Sequence, residues 1–522
     1  MKSVSGTQIF SALSALAAIA FLYMYLTWHN GFADLLSDSA IYLLMASVLD
    51  SGQQIPRQVF DIVMSDYHFP PLFPLTLWLF GGGAEYPLAS HLINTALVVA
   101  GFVSFFAWLR VLETDWYRAL VLVCIFAILP SVAFFANYIV SEFLYLSLAL
   151  LGFAALERSR GSAGLLYASA LLFGLAIATR TIGIALLPAL ALVAFRAQRK
   201  HFIFVLAVAV CPYLLWSVYK TSYESSNYVS SFFLSHKGDF TTSLAVYARV
   251  NVQVLGLSWI KSFDHFISDY STIPAAILGL LVFVGWLLRI ARLKADAIYV
   301  LFYILILVPW PHPDHIHRFL LPLLPMLLYY GLTASATMAG RIGNGAPVLL
   351  LQSAYFALLL ALTIPTNVNL VQRLTSPVPA HLSDFGRSHF WLFSRDPGAA
   401  IQRMEFLHSL HVSIAESSSI PSDACVWSID PARHMLLSKR VSYGTPSPAL
   451  DAAAFTQASG KCQYFFTMRV VPRPNQTGVT PLYPIERIEN DTEVVQEFAH
   501  EKFGVISMLL VRTSDDKLPQ HM

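Results

Sequence analysis

His312-Pro-Asp-His-Ile-His-Arg318, running into the apolar stretch Phe319 to Tyr330, sets three histidines, an aspartate and an arginine at the mouth of a helix that reads as membrane-spanning. Charged and titratable groups at such a boundary are costly to desolvate, and they are retained where they handle an ion, a phosphate or a proton. A second acidic site, Asp34 and Asp38, follows the first apolar segment. If the two stretches share one side of a bilayer, they can form a single polar site at the lipid–water boundary.

The composition supports that setting. Hydrophobic residues make up 56% of the 522 positions and charged residues 12%, about half the charge of soluble domains. Several windows of about 18 residues carry no charge, the signature of bilayer-spanning helices. The formal net charge of +2 gives no basic face for a nucleic acid. Cys124 and Cys211 lie in apolar segments as small hydrophobes. Cys425 and Cys462 lie in a polar tail and can pair only if that tail is in an oxidising compartment. Ile9 to Thr27 has the length of a span and reads as a retained anchor.

Outward from the opening stretch, hydropathy predicts about 11 spans: Ile9–Thr27, Pro87–Leu109, Ala119–Ala136, Tyr138–Leu156, Leu165–Phe195 as two shorter helices broken near Thr179-Arg-Thr181, Phe202–Tyr219, Ile273–Leu288, Ala297–Trp310, Phe319–Met338 and Pro347–Pro365. Asp38 to Leu49 has helical apolar spacing with polar ends and is expected to lie along the interface. Lys2, Arg110, Arg118, Arg158, Arg160, Arg196, Arg199, Lys200, Arg289, Arg292, Lys294 and Arg341 fall on one alternating set of loops, which the positive-inside rule makes cytoplasmic. The opposite set holds Asp34 and Asp38, the break at Arg180, a long Lys220–Thr272 loop, the His312–Arg318 cluster and everything after Pro365. Residues 1–365 are thus expected to form the membrane domain and 366–522 a small exterior α/β domain. Its expected strands are 424–429, 439–443, 462–468 and 505–511, with a short helix at 431–437. Asn475-Gln-Thr477 and Asn490-Asp-Thr492 fit the N-glycosylation pattern.

The ordered set of motifs resembles a known family. After the first helix come Asp38-Ser-Ala-Ile-Tyr42, His68-Phe-Pro-Pro-Leu-Phe-Pro74, Ser141-Glu-Phe-Leu-Tyr-Leu146 opening a helix, Gly174-Leu-Ala-Ile-Ala-Thr-Arg-Thr181, and Arg318-Phe-Leu-Leu-Pro-Leu-Leu-Pro325. This order resembles the GT-C membrane glycosyltransferases, in particular relatives of the protein O-mannosyltransferases and the lipid A aminoarabinose transferase. The resemblance implies GT-C architecture and transfer of a sugar, with inversion, from a polyprenyl-phosphate donor to a lipid, glycan or protein acceptor at the exterior face. Two departures stand out. Ser39 follows Asp38 where the family often has a second acid. His68 and Phe69 stand where a lysine commonly precedes the paired prolines, so His68 or a basic residue elsewhere takes the donor-phosphate contact.

That chemistry needs a carboxylate to take the acceptor's proton or steady an oxocarbenium-like centre, cations for the leaving phosphate, and an apolar groove for the lipid. Asp38 is the expected catalytic carboxylate, with Asp34 in reserve; an N-cap role would also account for Asp38 and excludes nothing. Asp61 and Asp66 read as solvated loop carboxylates. Arg318 is the expected phosphate clamp, helped by His315 and His317, because a guanidinium fork suits phosphate oxygens; the alternative is a snorkelling anchor. Arg180 and Glu142 are further substrate-binding candidates, though a helix anchor and a first-turn charge explain them too. His312, Asp314 and His317 offer nitrogen and oxygen donors for a divalent metal without matching a tight zinc spacing. His236, Lys261 and His265 lie in the long loop without an assigned role. The rival from another class is a transporter or flippase of a lipid-linked or small polar substrate. Transporters favour paired repeats and polar groups at mid-membrane, whereas these titratable residues gather at one face. A non-catalytic scaffold would leave Asp38→Asn silent. The expected setting is a multi-pass protein of the bacterial inner membrane with its N-terminus cytoplasmic.

Overall fold

The structure is a computed structural model that describes residues 5–28, 37–50, 57–66, 69–159, 161–221, 240–342, 346–376, 393–394, 396–398, 420–421, 424–428, 430–444, 462–470, 492–500 and 505–512. Its helices are α1 (Gly6–Trp28), α2 (Ser37–Val48), α3 (Arg57–Asp66), α4 (Leu72–Leu79), α5 (Pro87–Val111), α6 (Trp116–Ala127), α7 (Pro130–Ala136), α8 (Glu142–Arg158), α9 (Ala163–Thr179), α10 (Leu186–Ala197), α11 (Phe202–Thr221), α12 (Phe240–Phe263), α13 (Thr272–Ile290), α14 (Ala295–Leu307), α15 (Ile316–Leu320), α16 (Leu324–Ile342), α17 (Ala346–Thr375) and α18 (Pro431–Ser438). Among the described residues six helical segments are long and apolar enough to cross a membrane, and seven if the bent pair α6–α7 is one span. The chain is a multi-pass membrane protein, with fewer full-length spans than the eleven expected. The other four expected spans are helices of 17 residues or fewer: α8, α9, the run through a 3-10 turn into α10, and α14.

Local chemistry explains where the helices break. The expected span Ala119–Ala136 bends by 59° because Pro130 cannot donate to the preceding turn and starts a new helix instead. The carbonyls this frees are taken up from outside: Tyr23 donates to Ala127 (2.6 Å) and Asn367 to Ile128 (3.1 Å). The expected helix from Phe319 is also pieced together, with 3-10 turns at Pro313–His315 and Leu321–Leu323 flanking α15. The Lys220–Thr272 stretch is not all loop, since α12 occupies 24 of its residues. Asp61 and Asp66 belong to α3, whose Val59, Ile62, Val63 and Met64 are buried. α17 runs through Pro365 to Thr375, beyond the expected end of that span.

The largest core forms where α1, α5, α6 and α8 meet, around Tyr23, Phe102, Phe105, Trp108 and Phe126. At the end of the bundle carrying the arginine-rich loops, Arg289 grips Asp296 with two hydrogen bonds (2.7 and 2.6 Å), closing the α13–α14 turn. α13 and α16 approach so closely that a Cβ on Gly285 would lie 1.9 Å from the Tyr330 carbonyl oxygen. Gly285→Ala must therefore push two backbones apart, at about 1–3 kcal/mol or more. Gly340→Ala, with nothing within 4 Å of its Cβ, removes a helix-weakening glycine and is expected to raise stability slightly. Thermal melts of the two variants in detergent check the contrast.

The C-terminal region carries a five-stranded mixed sheet of strands β1 (Val426–Ser428), β2 (Ser442–Gly444), β3 (Tyr464–Val470), β4 (Thr492–His500) and β5 (Val505–Arg512) in the order β2-β1-β3-β5-β4. β1 pairs in parallel with β2 and β3, and β5 is antiparallel to both β3 and β4. β4 is the strand the sequence reading lacked. Asp430 caps α18 by accepting from the Arg433 amide. Cys425 and Cys462 form a disulfide across a Cα–Cα distance of 5.0 Å. α18 lies on α2: Ala432, Met435, Leu436 and Val441 share one buried cluster with Ala40 to Ala46. Residues 38–47 of α2 are accordingly buried all round, so the helix expected at the interface is enclosed by protein.

His434 sits inside this docking helix, fully buried. Burial, helped by the Arg440 charge, lowers its imidazole to about 4. The folded state therefore holds it neutral, while the unfolded chain protonates near 6.5. The stability it supports is complete above pH 6.5 and is lost as pH falls toward 4, at about 1.4 kcal/mol per unit. Protease sensitivity of the C-terminal region is expected to rise between pH 7 and pH 5, and His434→Phe to flatten that dependence.

Candidate active site

Four side chains from four separate elements meet at one place. Asp38 opens the helical part of α2 and Glu142 opens α8. Arg180 occupies the extended residue between α9 and the 3-10 turn Thr181–Ala185, with φ −148° and ψ 128°. Arg318 lies on α15. Nη1 of Arg318 lies 2.5 Å from Asp38 Oδ2, and its Nε lies 2.6 Å from Glu142 Oε1. Arg180 pairs with the same Glu142 oxygen. The result is a chain of alternating charge, Asp38–Arg318–Glu142–Arg180. Glu142 has no exposed surface, and Asp38 and Arg180 are 9% and 7% exposed.

Two residues that sequence reading did not single out complete the cluster. The Tyr42 hydroxyl bonds to Ser141 Oγ at 2.9 Å, and Arg180 Nη1 donates to that same oxygen at 3.3 Å. Tyr42 lies one turn after Asp38 on the same face of α2, the spacing that could have flagged it. The Phe319 ring backs both guanidiniums, at 4.9 Å from Arg180 and 5.6 Å from Arg318.

Two buried asparagines fix the linkers that deliver these groups. Asn94 on α5 donates to the carbonyls of Ala136 (3.0 Å) and Tyr138 (2.8 Å), pinning the α7–α8 link just before Glu142. Asn251 on α12 donates to Leu307, Val308 and Trp310 (3.2, 2.9 and 2.7 Å), pinning the end of α14 ahead of the His312–Arg318 stretch. Backbone groups freed at helix ends need such partners when buried.

The electrostatics follow from the geometry. Burial alone would push the Asp38 carboxyl up, but the charge and hydrogen bond of Arg318, with His315 and Arg180 beyond, bring it below the ordinary carboxylate range. Asp38 is an anion at neutral pH, held in one orientation. A carboxylate stabilised this strongly is a weak proton acceptor. It is better suited to steadying positive charge that develops beside it.

The histidines divide. His315 lies near Asp38 and Arg318, and its ring centroid is 5.7 Å from that of His312. His317 turns the other way, toward α7, where Nε2 bonds to Ser131 Oγ at 2.6 Å and the ring packs on Phe135 at 5.1 Å. His312, Asp314 and His317 do not converge, and among the described residues no three His, Cys, Asp or Glu side chains gather as metal ligands. Asp34, His68 and His236 lie outside the described residues, as do both glycosylation asparagines.

No protein-family model matches the sequence, and no curated protein matches it. Among solved structures, the chain is similar to ArnT from Cupriavidus metallidurans in the apo state, at 13% identity and a TM-score of 0.49, covering 97% of this chain and 98% of that one. It is similar to the same protein bound to undecaprenyl phosphate, at 13% identity and a TM-score of 0.47 over 95% and 97% of the two chains. It is also similar to the archaeal oligosaccharyltransferase AglB from Archaeoglobus fulgidus in complex with an inhibitory peptide and a dolichol-phosphate, at 12% identity and a TM-score of 0.45 over 88% and 70%.

Proposed function

We propose that this chain is a membrane glycosyltransferase that moves a sugar, with inversion, from a polyprenyl-phosphate donor to a lipid, glycan or protein acceptor at the exterior face. The observation that carries the reading is Asp38: a nearly buried carboxylate, kept ionised by Arg318, at the membrane-domain end where helices break. In this role Asp38 orients the acceptor hydroxyl and stabilises the cationic sugar carbon as the bond to phosphate breaks and the acceptor oxygen bonds that carbon. The acceptor's proton, strongly acidic once that bond forms, passes to Asp38, and the lipid phosphate leaves. Arg318 and Arg180, joined through Glu142, hold that carboxylate in place. Such fixed charges in a water-poor site act without reorganising during the reaction.

The tail supports one side of the membrane for this site. A disulfide such as Cys425–Cys462 persists in oxidising compartments, and the docking helix of that region packs on α2, which carries Asp38. This supports a periplasmic or extracellular site, with the N-terminus cytoplasmic in a bacterial inner membrane. The grouping of charges at one end favours surface chemistry over translocation.

The direct test incubates the purified chain with polyprenyl-phosphate sugars and envelope lipids, glycans and proteins, and follows labelled sugar. The reading predicts transfer to one of these acceptors. Absence of transfer from every polyprenyl-phosphate sugar, with the protein folded, removes it.

A further inference from the structure

The cluster around Asp38 is charge-balanced, with two carboxylates against two guanidiniums, and the Arg318 fork expected to clamp phosphate is already engaged by Asp38 and Glu142. An added phosphate would find no uncompensated positive charge there. The other face of α15 is different. His317 meets Lys261 and His265, on and just after α12, around Ser131 and Phe134. Ser131 Oγ bonds His317 Nε2 at 2.6 Å and reaches the Lys261 carbonyl at 3.5 Å, and the Phe134 ring lies 6.4 Å from the His317 ring and 4.9 Å from that of His265. Arg373, near the end of α17, lies over the Phe266 ring at 5.3 Å. Asp264, a carboxylate in the neighbourhood, accepts from Ser268 (amide at 2.8 Å, with the hydroxyl also donating), the Phe266 amide (3.3 Å) and Thr366 (2.9 Å). These neutral donors fix its direction, and its single charge is outnumbered by those of Lys261 and Arg373. Among the described residues no carboxylate forms an ion pair with Lys261, which is half-buried.

This basic group borders an apolar cavity. Between α1, α6, α7 and α17 lies a space of about 580 Å³ walled by residues such as Leu26, Ile128, Ala133, Leu360, Val371 and Phe393, within the ~300–1,000 Å³ typical of ligand-holding cavities. Phe393 belongs to both regions, with its ring 5.0 Å from His265 and 5.1 Å from Phe134. Phe134 in turn packs on His265 at 4.9 Å and faces His317 at 6.4 Å. An apolar chamber with a cationic rim is complementary to an anionic headgroup on a long hydrocarbon chain. A soluble anion would leave the chamber unused, and a neutral lipid would leave the rim unused.

We infer that Lys261 and His317, with His265 and Arg373 on the rim, hold the phosphate of the polyprenyl donor while the cavity between α1, α6–α7 and α17 takes its chain. The inference rests on the sugar-transfer reading and divides the labour of that site. Arg318 positions the catalytic carboxylate on one face of α15, and its sequence neighbour His317 meets the leaving phosphate on the other. The sugar then lies across the short helix between the two groups. His68, lacking its family's lysine charge, is not needed for the contact.

The experiment measures binding of a short polyprenyl phosphate, the matching polyprenol and inorganic phosphate to the full chain in detergent by calorimetry. Wild type is expected to prefer the lipid phosphate over the alcohol by tenfold or more. Lys261→Gln, and more strongly Lys261→Gln with His317→Gln, should erase most of that preference while leaving polyprenol affinity within twofold. Val368→Trp, which narrows the cavity, should weaken both lipids, and Arg292→Gln at the opposite end of the bundle should change neither. A phosphate preference intact in the double variant, in protein that melts like wild type, overturns the inference and leaves the sugar-transfer reading standing. Inorganic phosphate binding as tightly as the lipid overturns the cavity assignment. A wild type that binds no lipid phosphate removes the polyprenyl donor from both.

Discussion

Asp38→Asn is expected to reduce sugar transfer by about 10²–10³-fold, the range for removing one preorganised electrostatic stabiliser of a transition state. Asparagine keeps the volume and an oxygen for the Arg318 hydrogen bond but not the charge. What disappears is the anion beside the sugar carbon, which matters most as positive charge develops there. The loss should therefore fall on kcat more than on donor affinity. Arg318 keeps its ion pair with Glu142, and Asp38 retains some exposure where Glu142 has none, so the charge imbalance should lower the melting temperature less than Glu142→Gln does. Turnover within threefold of wild type would take Asp38 out of the chemistry and favour a scaffold role for the cluster.

Much of this geometry was legible one residue at a time. Asp38, Glu142, Arg180 and Arg318 each stand where a hydropathic run starts or breaks, and a charge at such a point is costly enough to need a reason. The loop-charge alternation placed all four at one end, and the structure brings them into a single network. What the sequence could not yield was who pairs with whom. Nothing in the spacing of Ser141-Glu142 says that one carboxylate bridges two arginines lying 38 and 176 residues further on. Helical periodicity records that a face is buried but not by which neighbour. That is why α2 read as an interfacial helix, when in fact α18, nearly 400 residues away, covers it. The same limit hid α12: its weaker apolar character passes for loop until Asn251 is seen holding three carbonyls at the end of α14. His317 and Arg318 read as one cluster because they are adjacent, yet neighbouring residues on a helix point about 100° apart, and here they serve different walls.

Glu142→Gln is expected to have the largest effect on stability of any substitution in the cluster. Glu142 is fully buried, and one of its oxygens is shared by the guanidiniums of Arg180 and Arg318. Neutralising it leaves two buried positive charges facing a single carboxylate, and breaking a buried pair from one side costs about 3–5 kcal/mol. Activity should fall as well, because Arg318 would then have Asp38 alone to neutralise it and would hold that carboxylate too tightly to meet the sugar. The decisive comparison is a cycle with Arg180→Gln. Each single change leaves the network one charge out of balance, whereas Glu142→Gln with Arg180→Gln restores equality between Asp38 and Arg318. The double variant is therefore expected to be more stable than the sum of the two single losses predicts, by ~1–3 kcal/mol of coupling. A strictly additive cycle would mean that the two side chains are solvated independently, and the alternating chain of charge would not be the frame that holds Asp38.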